Sequence, residues 1–531
     1  MSDSSGTHDD GIPLAATNLP RIGDGSHPSV PMSVSVPKYD RSALRPSIVH
    51  FGVGGFHRAH LAMYVDTLCA AGETAWAIVG AGVLPGDAAI AQALAAQDHL
   101  YSLVVRGEHG SSVSVIGSIV DYIHAHPDPT ALIERIAEPD TQIVSMTITE
   151  GGYPIDDGSG TYDPASPVAG AHSAFGILAR GLDLRRQRAV GPLTVVSCDN
   201  ILSNGRVCRT ATLGEAAQIG DDLASWIAEH IAFPNSMVDR ITPGTTDADR
   251  AWLATEVGIV DKWPVFTEAF TLWVLEDRFA GERPPLEELD VVVTEDVQPF
   301  EMMKLRLLNA AHSLMAYLSA LAGYDYVHEA MSDRTLRRYV EAFLDREARP
   351  VLPPVPGYDV DSFHSELIGR FADPAIRDQI TRLCQDGTAK FPKFLLPTVR
   401  AQLEVDGPIE LSALALAGWC LYLRAGDNEN GSPMDVSSDP AGDTAMALAA
   451  ASVGDPTSFL GMPAVFGEDL PRNARFVAAF TVALDRLQTD GVAASINATL
   501  DAHAGDSTKH VSAWRTRPNR PVDPCRTRGV E

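Results

Sequence analysis

The sequence predicts an α/β plus all-α protein, in which a half built on a largely parallel sheet precedes an all-helical half. Length is the first reason: 531 residues exceed the roughly 250–300 at which a single hydrophobic core stops growing, so two lobes are expected. The second is the alternation, from about residue 41 to 295, of short β-branched runs (SIVHF, WAIVG, QIVSMTI, LTVVSC, VVVT) with Ala/Leu-rich stretches, the pattern of βα units. The third is a change after about residue 296, where strand-like runs nearly vanish. Segments such as MMKLRLLNAAHSLMAYLSALAG, LRRYVEAFLDREA and FVAAFTVALDRLQ then read as helices up to about residue 505.

Residues 1–40 are rich in Ser, Pro, Gly and Asp and are expected to form a disordered or peripheral arm, and the polar stretch 506–531 a second tail. The amino terminus lacks the basic start and apolar core of a secretory leader, and no apolar run approaches the roughly 20 residues of a membrane span. Six cysteines are scattered without a C-x-x-C pair, which suggests neither a disulfide framework nor a zinc site; reduced thiols in a cytoplasmic protein are expected. Hydrophobic residues make up 45% of the chain, enough to exclude a mostly disordered protein. Lys and Arg number 41 against 69 Asp and Glu, a formal charge of -28 that repels nucleic-acid phosphates and anionic lipid. A nucleic-acid or membrane partner is therefore not expected.

The first strand, Ser47 to Phe51, runs into Gly52-Val53-Gly54-Gly55-Phe56-His57 and then a helical stretch. A strand, a tight glycine turn and a helix amino terminus form a place where backbone N–H groups and the helix dipole hold a pyrophosphate. His57 stands where the third glycine of the usual fingerprint would be, so a purely structural turn is the competing reading. The second strand, Trp76 to Val79, is followed by Gly80-Ala81-Gly82 and by Asp87, an acid placed for a ribose hydroxyl or, alternatively, a helix cap. No Lys or Arg lies between Glu73 and Val105 to hold a 2′-phosphate, which favours NAD over NADP.

The other informative block runs from Glu301 to His312. At about 100° per residue, Lys304, Glu301, His312 and Asn309 fall within one arc of roughly 140°. The bland reading pairs Glu301 with Lys304 at the surface and makes Asn309 and His312 satisfied core polars. The functional reading is a cleft-facing helix on which a partly desolvated lysine accepts a proton and an amide donates to a developing alkoxide. None of the 12 Tyr is followed four positions later by Lys, and the cysteines are isolated, so neither a Tyr/Lys pair nor a zinc centre is available. Metal-free, lysine-based hydride transfer is the chemistry left on such a scaffold.

At these residues the sequence resembles the polyol-specific long-chain dehydrogenases, the mannitol dehydrogenase and hexuronate reductase family. The pattern Lys304-x4-Asn309-x2-His312 is the most specific piece, supported by FGVGGFHRAH, TITEGGY, SCDNILSNG, FPNSMVDRITP, DKWPVFTEAF and RLCQDGTAKFP, over roughly residues 45–500. The resemblance implies an enlarged Rossmann-type NAD-binding domain at 41–295 and an all-helical substrate and catalytic domain at 296–505, with no metal and the active site between them. It implies Lys304 as general base, Asn200 and Asn309 as an oxyanion hole, and His312 as an orienting group. It further implies Glu301 and Glu150 as proton-relay residues, and Asp239, Arg382 and Lys390 as contacts to polyol hydroxyls. Plainer alternatives stand beside three of these: an exposed helix residue for Arg382, a turn residue for Asp239 and a strand-end cap for Asn200. The implied reaction is NAD-dependent interconversion of mannitol and fructose by a monomer. A keto-hexuronate such as fructuronate, another polyol such as arabinitol or sorbitol, and a catalytically silent NAD- or sugar-binding protein are the alternatives.

Overall fold

The structure is a computed structural model, which describes residues 11–23, 33–107, 110–156, 158–434, 436, 439 and 442–504. The early apolar runs form a parallel sheet from β1 (Ile48–Phe51), β2 (Ile78–Gly82), β3 (Ile119–His124), β4 (Ile143–Met146) and β5 (Thr194–Ser197), in the order β3-β2-β1-β4-β5. Ile48 sits opposite Ile78 on one side and Ile143 on the other. Because successive side chains alternate faces, Ile48, Ile78 and Ile143 enter one apolar cluster while Val49, Phe51, Val144 and Met146 enter another. Both faces are covered, which is why these strands are continuous apolar runs in the sequence. The strand order is that of a dinucleotide-binding half-sheet, and it puts the topological switch beyond the carboxyl ends of β1 and β4.

Two boundaries differ from expectation. β2 begins at Ile78 and runs through Gly80 and Gly82, which the pattern assigns to the following turn. A Cβ at Gly80 would lie 2.7 Å from Val53 and 2.8 Å from Tyr122, so small residues here serve close packing within the strand. The amino-terminal arm is also more ordered than its composition suggests. Ile12–Pro13 pairs in parallel with Ile259–Val260, and Ile12, Leu14, Ile22 and Val34 are buried in a cluster with Leu100, Val104 and Phe266. Four isolated apolar residues among Ser, Pro and Gly carry no period, so a pattern-based reading passes over them. The predicted tail 506–531 and residues 1–10 and 24–32 lie outside the described residues.

The enlargement of the α/β part has two sources. An antiparallel hairpin, Tyr101–Gly107 with Gly110–Ile116, is inserted between β2 and β3, flanked by Val265–Glu268 on one edge and Val34–Ser35 on the other. A separate sheet joins Ser236–Asp239, Leu272–Glu276 and Val292–Thr294.

The chain divides into two compact units. Among the described residues the first unit continues to Lys304 and takes back Pro353–Asp378; the second comprises Leu305–Leu352 and those from Gln379 onward. The expected boundary at 295/296 marks the last strand, Val292–Thr294, rather than the end of the unit. Among its described residues the second unit is helical, built around Ala310–Ala322, Glu410–Ala425 and Ala474–Ala504, the last broken at Gly491. Its core centres on Trp419, whose ring packs against Phe391 and Phe459 at centroid distances of 4.9 Å.

Candidate active site

Beyond the carboxyl ends of β1 and β4 lies a cavity of about 970 Å³, lined by Gly52, Val53, Gly54, Leu84, Asp87, Tyr122, Thr147 and the segment Pro167–Ala174 among others. Its volume is at the upper end of the roughly 300–1,000 Å³ found for cofactor and ligand sites. Gly52 has φ +84°, and a Cβ there would fall 2.2 Å from the Thr147 carbonyl, so the turn admits only glycine. At Gly54 a Cβ would meet nothing nearer than 4.0 Å, leaving the backbone open to a group approaching from the cavity. Asp87 lines the cavity and accepts a hydrogen bond from the Leu84 N–H at 2.8 Å through one carboxylate oxygen. A Cβ at Gly82 would lie 2.5 Å from that of Asp87, so the glycine makes room for the acid. Shape, open backbone and acid together fit a dinucleotide. Of the expected cofactor residues, Gly52, Val53, Gly54 and Asp87 line the cavity, whereas Gly55 and Phe56 do not. His57 is a correction: its side chain is buried and stacked on His50, away from the cavity.

The lysine centre is assembled from three elements of the first unit. Lys304 ends the helix Gln298–Lys304, and its Nζ donates to Asn200 Oδ1 at 2.7 Å and to the Val238 carbonyl at 2.6 Å. An ammonium has three N–H donors, so two are committed and one position is left over. Lys304 is 8% exposed, and burial lowers its pKa while the charge of Asp239 resists. Asn200 is held at the end of the β5 loop by Asn204, whose amide donates to the carbonyls of Ser197, Asp199 and Ser236 and accepts from the Ser236 N–H. With its oxygen on Lys304, Asn200 is not a strand-end cap.

Glu301 lies one turn before Lys304, accepts from the Ser203 N–H at 2.9 Å, and is pushed up to about 7 by burial. Glu150 is exposed, on the short turn Glu150–Gly152. Its neighbour Thr149 donates to Asp199, a buried carboxylate that burial raises to about 6 and that also receives the Ile148 N–H and the Tyr153 hydroxyl.

Asp239 is buried at the end of its strand rather than in a turn. Its two oxygens receive Arg370 Nη1 at 2.8 Å and Nη2 at 3.1 Å, while Glu268 receives Nε and Nη2 of the same guanidinium at 2.8 Å each. All three side chains are at most 6% exposed. Asp239 is therefore a partner of Arg370. Arg370, Glu268 and Asn204 are the site-forming residues that pattern reasoning misses. Each sits in a segment of ordinary composition, and only the return of Pro353–Asp378 to the first unit brings Arg370 to two buried acids.

The remaining expected residues belong to the helical unit. Asn309 closes a π-helical turn, Leu305–Asn309, and its side-chain oxygen is buried without a hydrogen-bond partner. A π turn interrupts the uniform 100° advance on which the single-face reading of Glu301–His312 rests. His312 is half-buried in the helix Ala310–Ala322. Arg382 is exposed on Ile380–Leu383, and Lys390 Nζ donates to the backbone carbonyls of Arg382 and Leu383 at 3.4 Å. No group of three or more His, Cys, Asp or Glu among the described residues is placed to hold a metal. No helix among them is long and apolar enough to cross a membrane.

Comparison with known proteins agrees with this architecture. The mannitol dehydrogenase Rossmann domain matches residues 46–288, and the mannitol dehydrogenase C-terminal domain matches 296–488. Mannitol 2-dehydrogenase of Phaeosphaeria nodorum is 43% identical over 476 residues, 87% of this chain and 83% of that protein. Mannitol 2-dehydrogenase of an Aspergillus fumigatus strain is 42% identical over 86% of this chain and 94% of its own length. Among solved structures, the Pseudomonas fluorescens mannitol 2-dehydrogenase ternary complex with NAD and D-mannitol matches with a TM-score of 0.83 and 40% identity, covering 92% of this chain and all of that one. A substrate-free D-sorbitol dehydrogenase matches with a TM-score of 0.83 and 36% identity, covering 91% and 100%. The cavity at the sheet's switch point, the buried lysine and these matches over most of the chain lead to one conclusion: the chain belongs to the mannitol dehydrogenase family.

Proposed function

We propose that the chain is an NAD-dependent polyol dehydrogenase that interconverts mannitol and fructose, with Lys304 as the general base. The observation that carries this reading is the buried Nζ of Lys304, held by Asn200 Oδ1 and the Val238 carbonyl with one position left over. NAD, when bound along Gly52–Gly54 and Asp87, supplies the hydride acceptor. In oxidation the substrate hydroxyl gives its proton to Lys304 Nζ, and in ketose reduction Lys304 returns it. Burial lowers the Lys304 pKa and so favours the neutral amine, the form that accepts a proton.

Asn200 and Asn309 provide the amide donors that stabilise the developing alkoxide, each such donor worth about 3 kcal/mol. A buried amide oxygen without a partner at Asn309 is a group that a bound hydroxyl would satisfy. His312 orients the reacting oxygen, and Arg382 and Lys390 offer donors to the outer hydroxyls. Glu301 connects Lys304 to solvent, with Glu150 as the second relay candidate. The similarity to a D-sorbitol dehydrogenase keeps a related polyol as the alternative substrate.

Replacing Lys304 by Ala should lower fructose reduction by three orders of magnitude or so while NADH binding stays within a factor of about two. Near-normal turnover in that variant would remove Lys304 from the chemistry. Initial rates on fructose, fructuronate and sorbose, each with NADH and NADPH, test the substrate and cofactor assignments; fructose with NADH should dominate.

A further inference from the structure

Position 57 is where the fingerprint begun by Gly52 and Gly54 would place its third glycine, the one that lets the first helix pack close to the sheet. His57 stands there with 1% exposure, its ring face to face with that of His50, centroids 3.4 Å apart and planes 14° from parallel. Neither ring nitrogen of His57 has a hydrogen-bond partner, so the side chain serves through its flat face rather than its polarity. His50 is the opposite case. Its Nδ1 lies 2.8 Å from Ser145 Oγ, and its Nε2 lies 2.9 Å from Thr147 Oγ1 and 3.2 Å from the Gly52 carbonyl. That carbonyl also receives the Thr147 hydroxyl and the Gly54 N–H, both at 2.7 Å.

The cofactor turn is thus tied at one oxygen, and the tie includes the ring on which His57 rests. Thr147 Oγ1 donates to Gly52 and so accepts from His50, which puts the His50 proton on Nε2. Burial holds both imidazoles in the neutral form, His50 down to about 3, so the stacked rings do not repel.

We propose that His57 is a positioning residue for the cofactor: its ring, stacked on His50, replaces the third glycine by keeping the helix Gly55–Ala59 against β1, and through His50 it fixes the Gly52–Gly54 turn in the form that receives a pyrophosphate. The proposal rests on the reading of the cavity as an NAD site. It makes an unusual demand, because His57→Gly would complete the glycine fingerprint and yet should impair the site.

The test uses the full-length chain with His57→Gly and the milder His57→Asn, which keeps a planar group. NADH titration should show a dissociation constant raised about tenfold or more for His57→Gly and less for His57→Asn, with the kinetic loss falling on KM for NADH more than on kcat. Amide hydrogen exchange over residues 52–56, measured without ligand, should speed up in the same order. A His57→Gly variant that binds NADH as tightly as the wild type, with unchanged exchange over 52–56, overturns the proposal. Should His57→Gly fail to fold, wild-type affinity and exchange in His57→Asn overturn it equally. A wild-type chain that does not bind NADH refutes the cofactor reading instead, and the exchange arm still decides whether the stack fixes the turn.

Discussion

Glu301 and Lys304 titrate toward each other. Burial raises the carboxyl to about 7 and lowers the amine, so a proton passing between them meets a smaller free-energy step than it would in water. If, as proposed, Lys304 takes the substrate proton and Glu301 relays it, Glu301 must be a carboxylate, and that form appears as pH rises through about 7. Oxidation kcat should therefore climb through that range in the wild type. Glu301→Gln cannot accept a proton, so the climb should be lost and turnover reduced about tenfold or more. A kcat profile of Glu301→Gln from pH 5.5 to 8.5 that overlays the wild type would take Glu301 out of the route. Lys304 and Glu301 are legible in the sequence because charged side chains interrupt an apolar helix, a pattern that costs stability unless they face something polar. Arg370 is not legible. In VDSFHSELIGRFA an arginine near the end of a mixed polar and apolar helix looks solvated, and only the tertiary return of that helix shows that it bridges Asp239 and Glu268.

Helices in the second unit are equally well announced by their apolar spacing, but their ends are not. The helix Glu410–Ala425 begins without a capping hydrogen bond from its own N-cap residue. Its first N–H groups, at Leu411 and Ser412, are instead satisfied by Glu347, which reaches them from a π-helical turn 64 residues earlier in the chain, at 2.7 and 3.0 Å. A cap supplied from that distance has no local signature, because the capping rules read residues within one turn. Full burial pushes Glu347 up to about 7 despite those donors. The sign follows from linkage: a carboxyl that binds its proton more tightly folded than unfolded loses stabilisation as pH rises from its ordinary value of 4.5 through about 7. The loss is on the order of 3 kcal/mol for a shift of this size in a buried group. Thermal melts at pH 5 and pH 8 should show the wild type losing more than Glu347→Gln over that interval. The variant should start lower, because its NH2 replaces one of the two carboxylate oxygens that accept from these N–H groups. Equal slopes for the two proteins would mean that Glu347 is ionised throughout.

At the scale of the whole molecule, the sequence change near residue 296 marks where strands stop among the described residues, and the first break between the compact units comes after Lys304. The chain passes between the units after Lys304, after Leu352 and again after Asp378. The segment that returns carries Phe363 and Phe371, both buried, and Arg370, whose guanidinium also lies 4.0 Å over the ring of Phe270. A fragment ending at Lys304 would keep Asp239 and Glu268 but lose Arg370, the cation they share, and breaking a buried ion pair by removing one partner costs about 3–5 kcal/mol. It would also expose the apolar surface that Phe363 and its neighbours cover. That penalty is comparable to the roughly 5–15 kcal/mol by which whole domains are stable. Lys304 is thus covalently present in a fragment that should not hold it in place. Residues 1–304 expressed alone should show no cooperative thermal transition and should bind a hydrophobic dye, whereas residues 1–378, which retain Arg370, should regain part of the transition. A fragment 1–304 that melts cooperatively at the temperature of the full chain would show that the returning helix is dispensable, and that the buried Asp239 and Glu268 are satisfied without it.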